Sequence, residues 1–280
     1  MKIFGLIGFP VKHSYSAIMH NAAFQALGID ARYELFEIQP QKLEVELKNK
    51  LKQGVSGLNV TIPYKEKVIQ FLDHIDEEAD LIGAVNTVKI DAGGESTGFN
   101  TDGRGFITHL KEAVGFDPKG KAAAVLGAGG AAKALTAILA KSKAKTISIF
   151  DIDSQKTKEL IERLKIICPQ CLLKEAKDAN DLLSGEPDLL INATPIGMSK
   201  SDHLVFDPTL LQKKMVVYDL VYNPAQTPLL IEAKARGCAG VFNGLGMLLY
   251  QGVLAFRIWL EADPPIDVME EALREVLTKT

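Results

Sequence analysis

Four short polar clusters in the first hundred or so residues carry side chains able to bind an oxygenated ligand: Ser14-Tyr15-Ser16, Asn59-Val60-Thr61-Ile62-Pro63-Tyr64-Lys65, Ala84-Val85-Asn86-Thr87 and Asn100-Thr101-Asp102-Gly103. Each lies at the edge of an apolar run that reads as a strand, and open α/β sheets bind ligands just beyond their strand ends. Taken singly each cluster is an ordinary cap or turn. Together they assemble hydroxyls, amides, an amine and a carboxylate. A fifth motif, Gly127-Ala128-Gly129-Gly130-Ala131-Ala132, follows one apolar run directly and opens a helical pattern, the required context of the G-x-G-x-x-G/A loop. In that reading Gly127 makes the tight turn, Gly129 admits a pyrophosphate, and Gly130 and Ala131 present the helix N-terminus to it. Asp151 follows Gly127 by 24 residues, close to the spacing of a carboxylate that accepts hydrogen bonds from an adenosine ribose. A carboxylate there repels a 2′-phosphate, and there is no Arg between Gly105 and Arg163 to clamp one, although Lys156 and Lys158 remain as substitutes. The cofactor expected is therefore NAD or NADP, with Asp151 and the missing Arg favouring NAD.

The elements that must position these residues follow from periodicity. Apolar runs at Ala122–Leu126, Thr146–Phe150, Leu189–Ile191, Met215–Leu220 and Ala239–Phe242 alternate with helical segments such as Ala131–Ala140 and Thr157–Leu164. That alternation predicts a doubly wound parallel sheet covered on both faces. The first hundred residues predict a separate α/β unit. Its strands fall at Ile3–Ile7 and Leu58–Ile62, its helices at Ala17–Leu27 and along the Leu43, Leu47, Leu51 stripe, and a hairpin joins Ala84–Ile90 to Glu95–Asn100. Phe106, Leu110 and Val114 mark a bridging helix. Leu245–Leu260 and Val268–Leu277 are helical with no strand to follow, so they return to the first unit. The expected fold class is thus α/β, an N-terminal α/β substrate domain plus a Rossmann doubly wound parallel-sheet domain with a cleft between them. The expected division is residues 1–104 plus 245–280 for the substrate and catalytic domain, and 105–244 for dinucleotide binding.

Composition excludes several classes. In 280 residues, 32 Lys+Arg against 35 Asp+Glu leave a net charge of −3 with no basic patch, so nucleic acid is not an expected partner. The most apolar stretches fall short of the roughly 18 residues of a membrane span. Gly5, Gly8 and Pro10 break the opening apolar run, against a signal peptide. Three cysteines suit a reducing, cytoplasmic setting, and Cys168-Pro169-Gln170-Cys171 lacks the second pair of a zinc site. His13 is read as shaping the serine loop. His20, His74, His109 and His203 lack metal-ligand spacing and are read as structural, with no metal expected. The residues leave monomer or homodimer open.

The chain resembles the shikimate dehydrogenase family over nearly its whole length. The resemblance rests on H-S-Y-S at 13–16, N-V-T-I-P-Y-K at 59–65, G-A-V-N-T at 83–87, G-F-N-T-D-G at 98–103, G-A-G-G-A-A at 127–132, N-A-T-P-I-G-M at 192–198, Tyr218–Pro224 and G-L-G-M-L-L-Y-Q at 244–251. It implies reversible NAD(P)H-dependent reduction of 3-dehydroshikimate to shikimate, in the biosynthesis of aromatic amino acids. It further implies that Lys65 and Asp102 are the catalytic pair. Ser14, Ser16 and Tyr222 would bind the substrate carboxylate, and Thr61, Asn86 and Gln251 its ring hydroxyls. Asn192, Ala193, Thr194, Gly244 and Met247 would line the cofactor near its nicotinamide. Where family members carry Asn-Arg-Thr after the second strand, this chain has Asp151-Ile152-Asp153. That departure resembles the NAD-using quinate/shikimate branch, whereas Ser16 points back to shikimate. A non-catalytic NAD-binding regulator is the reading from another class, opposed by the presence of Lys65, Asp102 and Gln251 together.

Oxidising a secondary alcohol requires a group within hydrogen-bond reach to take its O–H proton. A lysine amine serves as a base near neutrality only when desolvated, while an adjacent anion favours its charged form, so the residues leave base and electrostatic roles open for Lys65. Replacing Lys65 by Ala is expected to abolish most turnover with little loss of folding.

Overall fold

Strand β1 (Lys2–Gly8) is buried from Phe4 onward, as a run of consecutive apolar residues requires, and such a strand is stable only inside a sheet. It pairs in parallel with β2 (Ala31–Glu37) on one side and β3 (Gly57–Val60) on the other. Beyond β3 come β5 (Thr87–Ile90) and β6 (Ser96–Phe99), an antiparallel hairpin, and then the two-residue β4 (His74–Ile75). The order is β2-β1-β3-β5-β6-β4. The helices of this unit are α1 (Ser16–Ala26), α2 (Leu43–Lys52) and α3 (Glu77–Ile82), joined by most of α9 (Leu245–Leu260) and by α10 (Ile266–Lys279). Residues 1–199 and 201–279 are described by this computed structural model. Contacts divide them into Met1–Gly105 with residues 248–279, and Phe106–Met247.

One face of the first sheet buries Ile7, Leu47, Leu58, Tyr64, Val68 and Val88 in a single cluster. Elsewhere in this unit Phe4 meets both Phe24 and Trp259, with ring centroids 5.4 and 5.0 Å apart, and the Trp259 indole N–H donates to the Val88 carbonyl at 2.9 Å. His20 is fully buried among these rings. It stacks on Tyr33 at 4.6 Å and 11°, and neither ring nitrogen has a hydrogen-bond partner among the described residues.

The second unit holds a six-stranded, all-parallel sheet ordered β12-β11-β10-β7-β8-β9. Its strands are β7 (Ala122–Leu126), β8 (Thr146–Phe150), β9 (Leu172–Glu175), β10 (Leu189–Asn192), β11 (Val216–Asp219) and β12 (Gly240–Asn243). The crossovers carry α5 (Gly130–Lys141), α6 (Ser154–Ile167), α7 (Ala179–Ser184) and α8 (Pro228–Ala235). Leu126, Leu183, Leu190, Val217 and Leu229 are among the residues of its largely aliphatic core. Strand order reverses between β7 and β10, the switch point at which doubly wound sheets bind ligands.

Three strands escape the periodicity reading: β2, β4 and β9. All lie at sheet edges, where one row of backbone groups stays unpaired and half the side chains stay wet. Glu34, Lys174 and Glu175 interrupt the apolar signal there and discourage pairing with a further strand. The predicted hairpin also begins later, at Thr87 rather than Ala84, and the bridging segment is α4 (Asp102–Thr108) followed by a π-helical turn, His109–Ala113.

Candidate functional site

Strand direction brings the four polar clusters of the first unit to one sheet edge. Strands β1 and β3 are parallel, so Ser14 and Ser16 after β1 and Thr61 and Lys65 after β3 leave from the same side. The β5–β6 hairpin runs antiparallel to β3, with Asn59 opposite Thr87 and Thr87 opposite Phe99. Asn86, which precedes β5, and Asp102, which follows β6, therefore return to that same edge.

Side chains there form one hydrogen-bonded cluster. Lys65 Nζ donates to Asp102 Oδ2 at 2.6 Å, the two side chains being 14% and 4% exposed. Asn86 Nδ2 donates to Asp102 Oδ1 at 2.8 Å and to Thr101 Oγ1 at 2.9 Å, and faces Gln251 Oε1 at 3.4 Å. Asn86 Oδ1 accepts the Thr101 backbone N–H at 2.7 Å, and Asn100 Oδ1 accepts the Asp102 N–H at 3.1 Å. Asp102 is thus held from both oxygens and from its own backbone. Gln251 reaches the cluster because α4 and α9 touch at Gly105, where an added Cβ would lie 2.6 Å from the Gln251 backbone nitrogen.

Asn59 is not a rim residue. It is buried, accepts from the Tyr33 hydroxyl at 2.8 Å and donates to Thr87 Oγ1 at 3.1 Å. Thr87 in turn donates to Asn86 Oδ1 at 3.1 Å. Asn59, Thr87 and Thr101 therefore support Asn86, a role invisible in the sequence because it depends on cross-strand register. Ser14 and Ser16 pair with each other, hydroxyl to hydroxyl at 3.2 Å. Ser14 Oγ also accepts the N–H of Ser16, the first residue of α1, at 3.3 Å, while the N-cap residue Tyr15 makes no side-chain cap bond. Thr61 lies half-buried over Gly8.

In the second unit the parallel strands deliver Gly127, Asp151, Asn192, Asp219 and Gly244 to the carboxyl edge of the sheet. Gly127 has φ +101, and a Cβ there would sit 3.0 Å from the Ala193 carbonyl oxygen, so this turn admits no side chain. A Cβ on Gly129 would meet nothing within 4 Å, which leaves the N-terminal amides of α5, including those of Gly130 and Ala131, open to an anion. The Asp151 carboxylate accepts the Ala128 N–H at 2.7 Å and the Asp153 N–H at 2.9 Å, fastening the loop after β8 to the glycine turn. Beside it a cavity of about 400 Å³ is lined by Phe150, Asp151, Ile152, Ser154, Glu175, Ala176 and Lys177. These features fit a dinucleotide: a bare turn, open amides, and a carboxylate beside a roomy cavity.

Sequence reasoning also missed Asp219, at the end of β11. Burial pushes its carboxyl up to about 6, against hydrogen bonds from Thr227, the Val221 N–H and Asn192 that favour the ionised form. Asn192 Oδ1 accepts from the Thr194 hydroxyl at 2.6 Å and from its N–H at 3.1 Å. Near Met247, the Tyr218 hydroxyl lies 2.7 Å from His109 Nδ1 and takes the Met247 backbone N–H. Gly244 passes Leu220 so closely that a Cβ would fall 2.1 Å from its carbonyl oxygen. Tyr222 is half-buried in the segment after β11. The Cys168 and Cys171 thiols are free, and burial raises Cys171 to about 11. Thiol titration of the native protein is expected to modify Cys168 well before Cys171. No group of side chains suited to a metal ion occurs among the described residues. No helix among them is long and apolar enough to cross a membrane.

The family model described as the shikimate dehydrogenase substrate binding domain matches residues 6–88, and that of the shikimate 5′-dehydrogenase C-terminal domain matches residues 244–274. A shikimate dehydrogenase (NADP(+)) from Methanopyrus kandleri is 42% identical over 282 aligned positions, covering 98% of this chain and 96% of that protein. Among solved structures, shikimate 5-dehydrogenase from Thermus thermophilus, in complex with NADP(H) and shikimate, superposes with a TM-score of 0.86 at 37% identity, covering 99% of this chain and all of that one. The Listeria monocytogenes shikimate 5-dehydrogenase, in complex with shikimate and NAD, gives 0.84 at 36% identity over 98% of this chain and 96% of that one.

Proposed function

The chain belongs to the shikimate dehydrogenase family, and from that premise we propose that it interconverts shikimate and 3-dehydroshikimate with a nicotinamide dinucleotide. The observation that carries this reading is the Lys65–Asp102 pair, 2.6 Å apart and locked by Asn86 at the edge where the other polar clusters converge. Met1–Gly105 with residues 248–279 is the substrate-binding and catalytic part, and Phe106–Met247 the dinucleotide-binding part.

A nicotinamide held in the second unit would supply the two-electron acceptor for the hydride of the carbinol carbon. The chain's own residues handle the proton. Asp102 Oδ2 and Lys65 Nζ share one hydrogen bond, so an alcohol seated there donates its O–H to that couple as the carbon–oxygen bond gains carbonyl character. In the reverse direction the ammonium of Lys65 returns the proton to the forming alkoxide. Asn86 and Gln251 offer amide groups to ring hydroxyls, and Thr61 offers a third polar contact. Ser14 and Ser16 bind the substrate carboxylate. Asn192, Ala193, Thr194, Gly244 and Met247 line the nicotinamide end. Gly127, Gly129, Gly130 and Ala131 hold the pyrophosphate.

NAD is the preferred dinucleotide in this reading. Asp151 and Glu175 both line the cavity next to the glycine turn, with Lys177 as the one cation facing them among its lining residues. Two carboxylates oppose a 2′-phosphate and suit free ribose hydroxyls. Steady-state oxidation of shikimate and of quinate, each with NAD and NADP, tests this. Wild type is expected to show the higher kcat/KM with shikimate and NAD. Asp151→Ala is expected to erode the discrimination against NADP by about tenfold or more, the worth of one charged contact. Strong NADP preference in the wild type would refute the role given to Asp151, and faster turnover of quinate would reassign the substrate.

A further inference from the structure

Asp219 lies wholly inside the second unit, yet no cation pairs with it among the described residues. Its three partners are donors from three different segments. Asn192 Nδ2 at the end of β10 donates to Oδ1 at 2.8 Å, the Val221 N–H donates to the same oxygen at 3.0 Å, and the Thr227 hydroxyl at the start of α8 donates to Oδ2 at 2.6 Å. From Asn192 the bonding continues outward. The same amide nitrogen donates to the Ile196 carbonyl at 2.9 Å, Asn192 Oδ1 takes both Thr194 donors, and Thr194 Oγ1 accepts the Ile196 N–H at 3.2 Å. Gly197 then turns at φ +105, its Cβ direction only 3.1 Å from Thr227. One buried carboxylate therefore organises the whole segment from Asn192 to Gly197, and that segment abuts the glycine turn through the Ala193 carbonyl.

A buried carboxylate without a counter-charge is costly, and a fold that needed only packing here would place an apolar residue. We propose that Asp219 is a positioning residue for the dinucleotide: acting through Asn192 and Thr194, it holds segment 192–197 in the one conformation that receives the nicotinamide end of the cofactor. A loop that is not pre-set must be ordered by the ligand, and the apparent dissociation constant rises by the inverse of the competent fraction. Each hydrogen bond to the ionised carboxylate contributes enough that losing all three lowers that fraction about 10- to 100-fold. This inference rests on the dinucleotide reading of the second unit.

The test measures binding apart from turnover, by titrating the full chain with NADH and NADPH at pH 8 and following nicotinamide fluorescence. Asp219→Ala is expected to weaken binding of whichever dinucleotide the wild type prefers about 10- to 100-fold. Asp219→Asn, which keeps an acceptor for Asn192 and the Val221 N–H, is expected to restore it to within about threefold. Thr227→Val removes one donor at nearly constant volume and is expected to weaken binding by several fold. That arm does not depend on Asp219→Ala folding. In each variant the KM for the dinucleotide rises, while kcat at saturation and the KM for shikimate stay near wild type, a split that general loss of folded protein does not produce. Wild-type dissociation constants in both Asp219→Ala and Thr227→Val would overturn the proposal while leaving the dinucleotide reading intact. Failure of the wild type to bind either dinucleotide would overturn that reading, and this inference with it.

Discussion

Lys65→Ala is expected to lower kcat for shikimate oxidation by about 10²- to 10⁴-fold, the usual span for losing a positioned proton-transfer group. The geometry makes the effect specific. Lys65 Nζ is the one cation within ion-pair distance of Asp102 among the described residues, and Asn86 holds that carboxylate and Asn100 its backbone N–H independently of the lysine. The variant therefore keeps the carboxylate in place and loses the amine alone. The structure also changes the expectation for folding. A pair this deeply buried leaves an uncompensated charge when one partner goes, so Lys65→Ala is expected to cost about 1–3 kcal/mol rather than nothing. The double variant Lys65→Met/Asp102→Asn separates the two effects. It is expected to recover most of the stability in urea unfolding and none of the turnover. Turnover within tenfold of wild type in Lys65→Ala would remove the residue from the chemistry.

The second large effect is on stability and concerns His20, far from any charge chemistry. Burial among Tyr33, Phe24 and Trp259 pushes its imidazole from 6.5 down to about 3. The folded state therefore excludes a proton that the unfolded chain takes up. The contribution is complete above pH 6.5 and is lost as pH falls from there toward 3. With those two values the linkage amounts to ~2 kcal/mol at pH 5 and ~3 kcal/mol at pH 4, relative to pH 8. His20→Leu, which keeps the volume and removes two unpartnered ring nitrogens, is expected to match wild-type stability at pH 8 and exceed it by those amounts in acid. Urea unfolding of both proteins between pH 8 and 4 measures the difference, in which acid effects common to both cancel. Parallel pH profiles would show that the His20 imidazole reaches solvent or a partner.

Much of this molecule is determined by the sequence alone. Ala122–Leu126 followed by glycines and an alanine-rich helix can hardly be anything but the first strand, turn and helix of a doubly wound unit. The apolar runs of β10 and β11 specify buried parallel strands because each is hydrophobic on both faces and buried at every residue. Lys65, Asn86 and Asp102 stand in polar clusters that are local facts of the sequence, while Gln251 and the roles of all four residues came from the family resemblance. Other features depend on tertiary structure. The edge strands β2, β4 and β9 take their conformation from a single neighbour, so half their residues carry no apolar signal. Asn59 and Thr87 support Asn86 only because antiparallel pairing sets them opposite each other. Gln251 joins residues some 150 positions earlier only because Gly105 lets two helix backbones touch. Asp219 reads in sequence as the polar end of a strand. Its burial, its lack of a counter-charge among the described residues and its grip on Asn192 arise from where β10, β11 and the start of α8 meet in space, and no local pattern encodes that meeting.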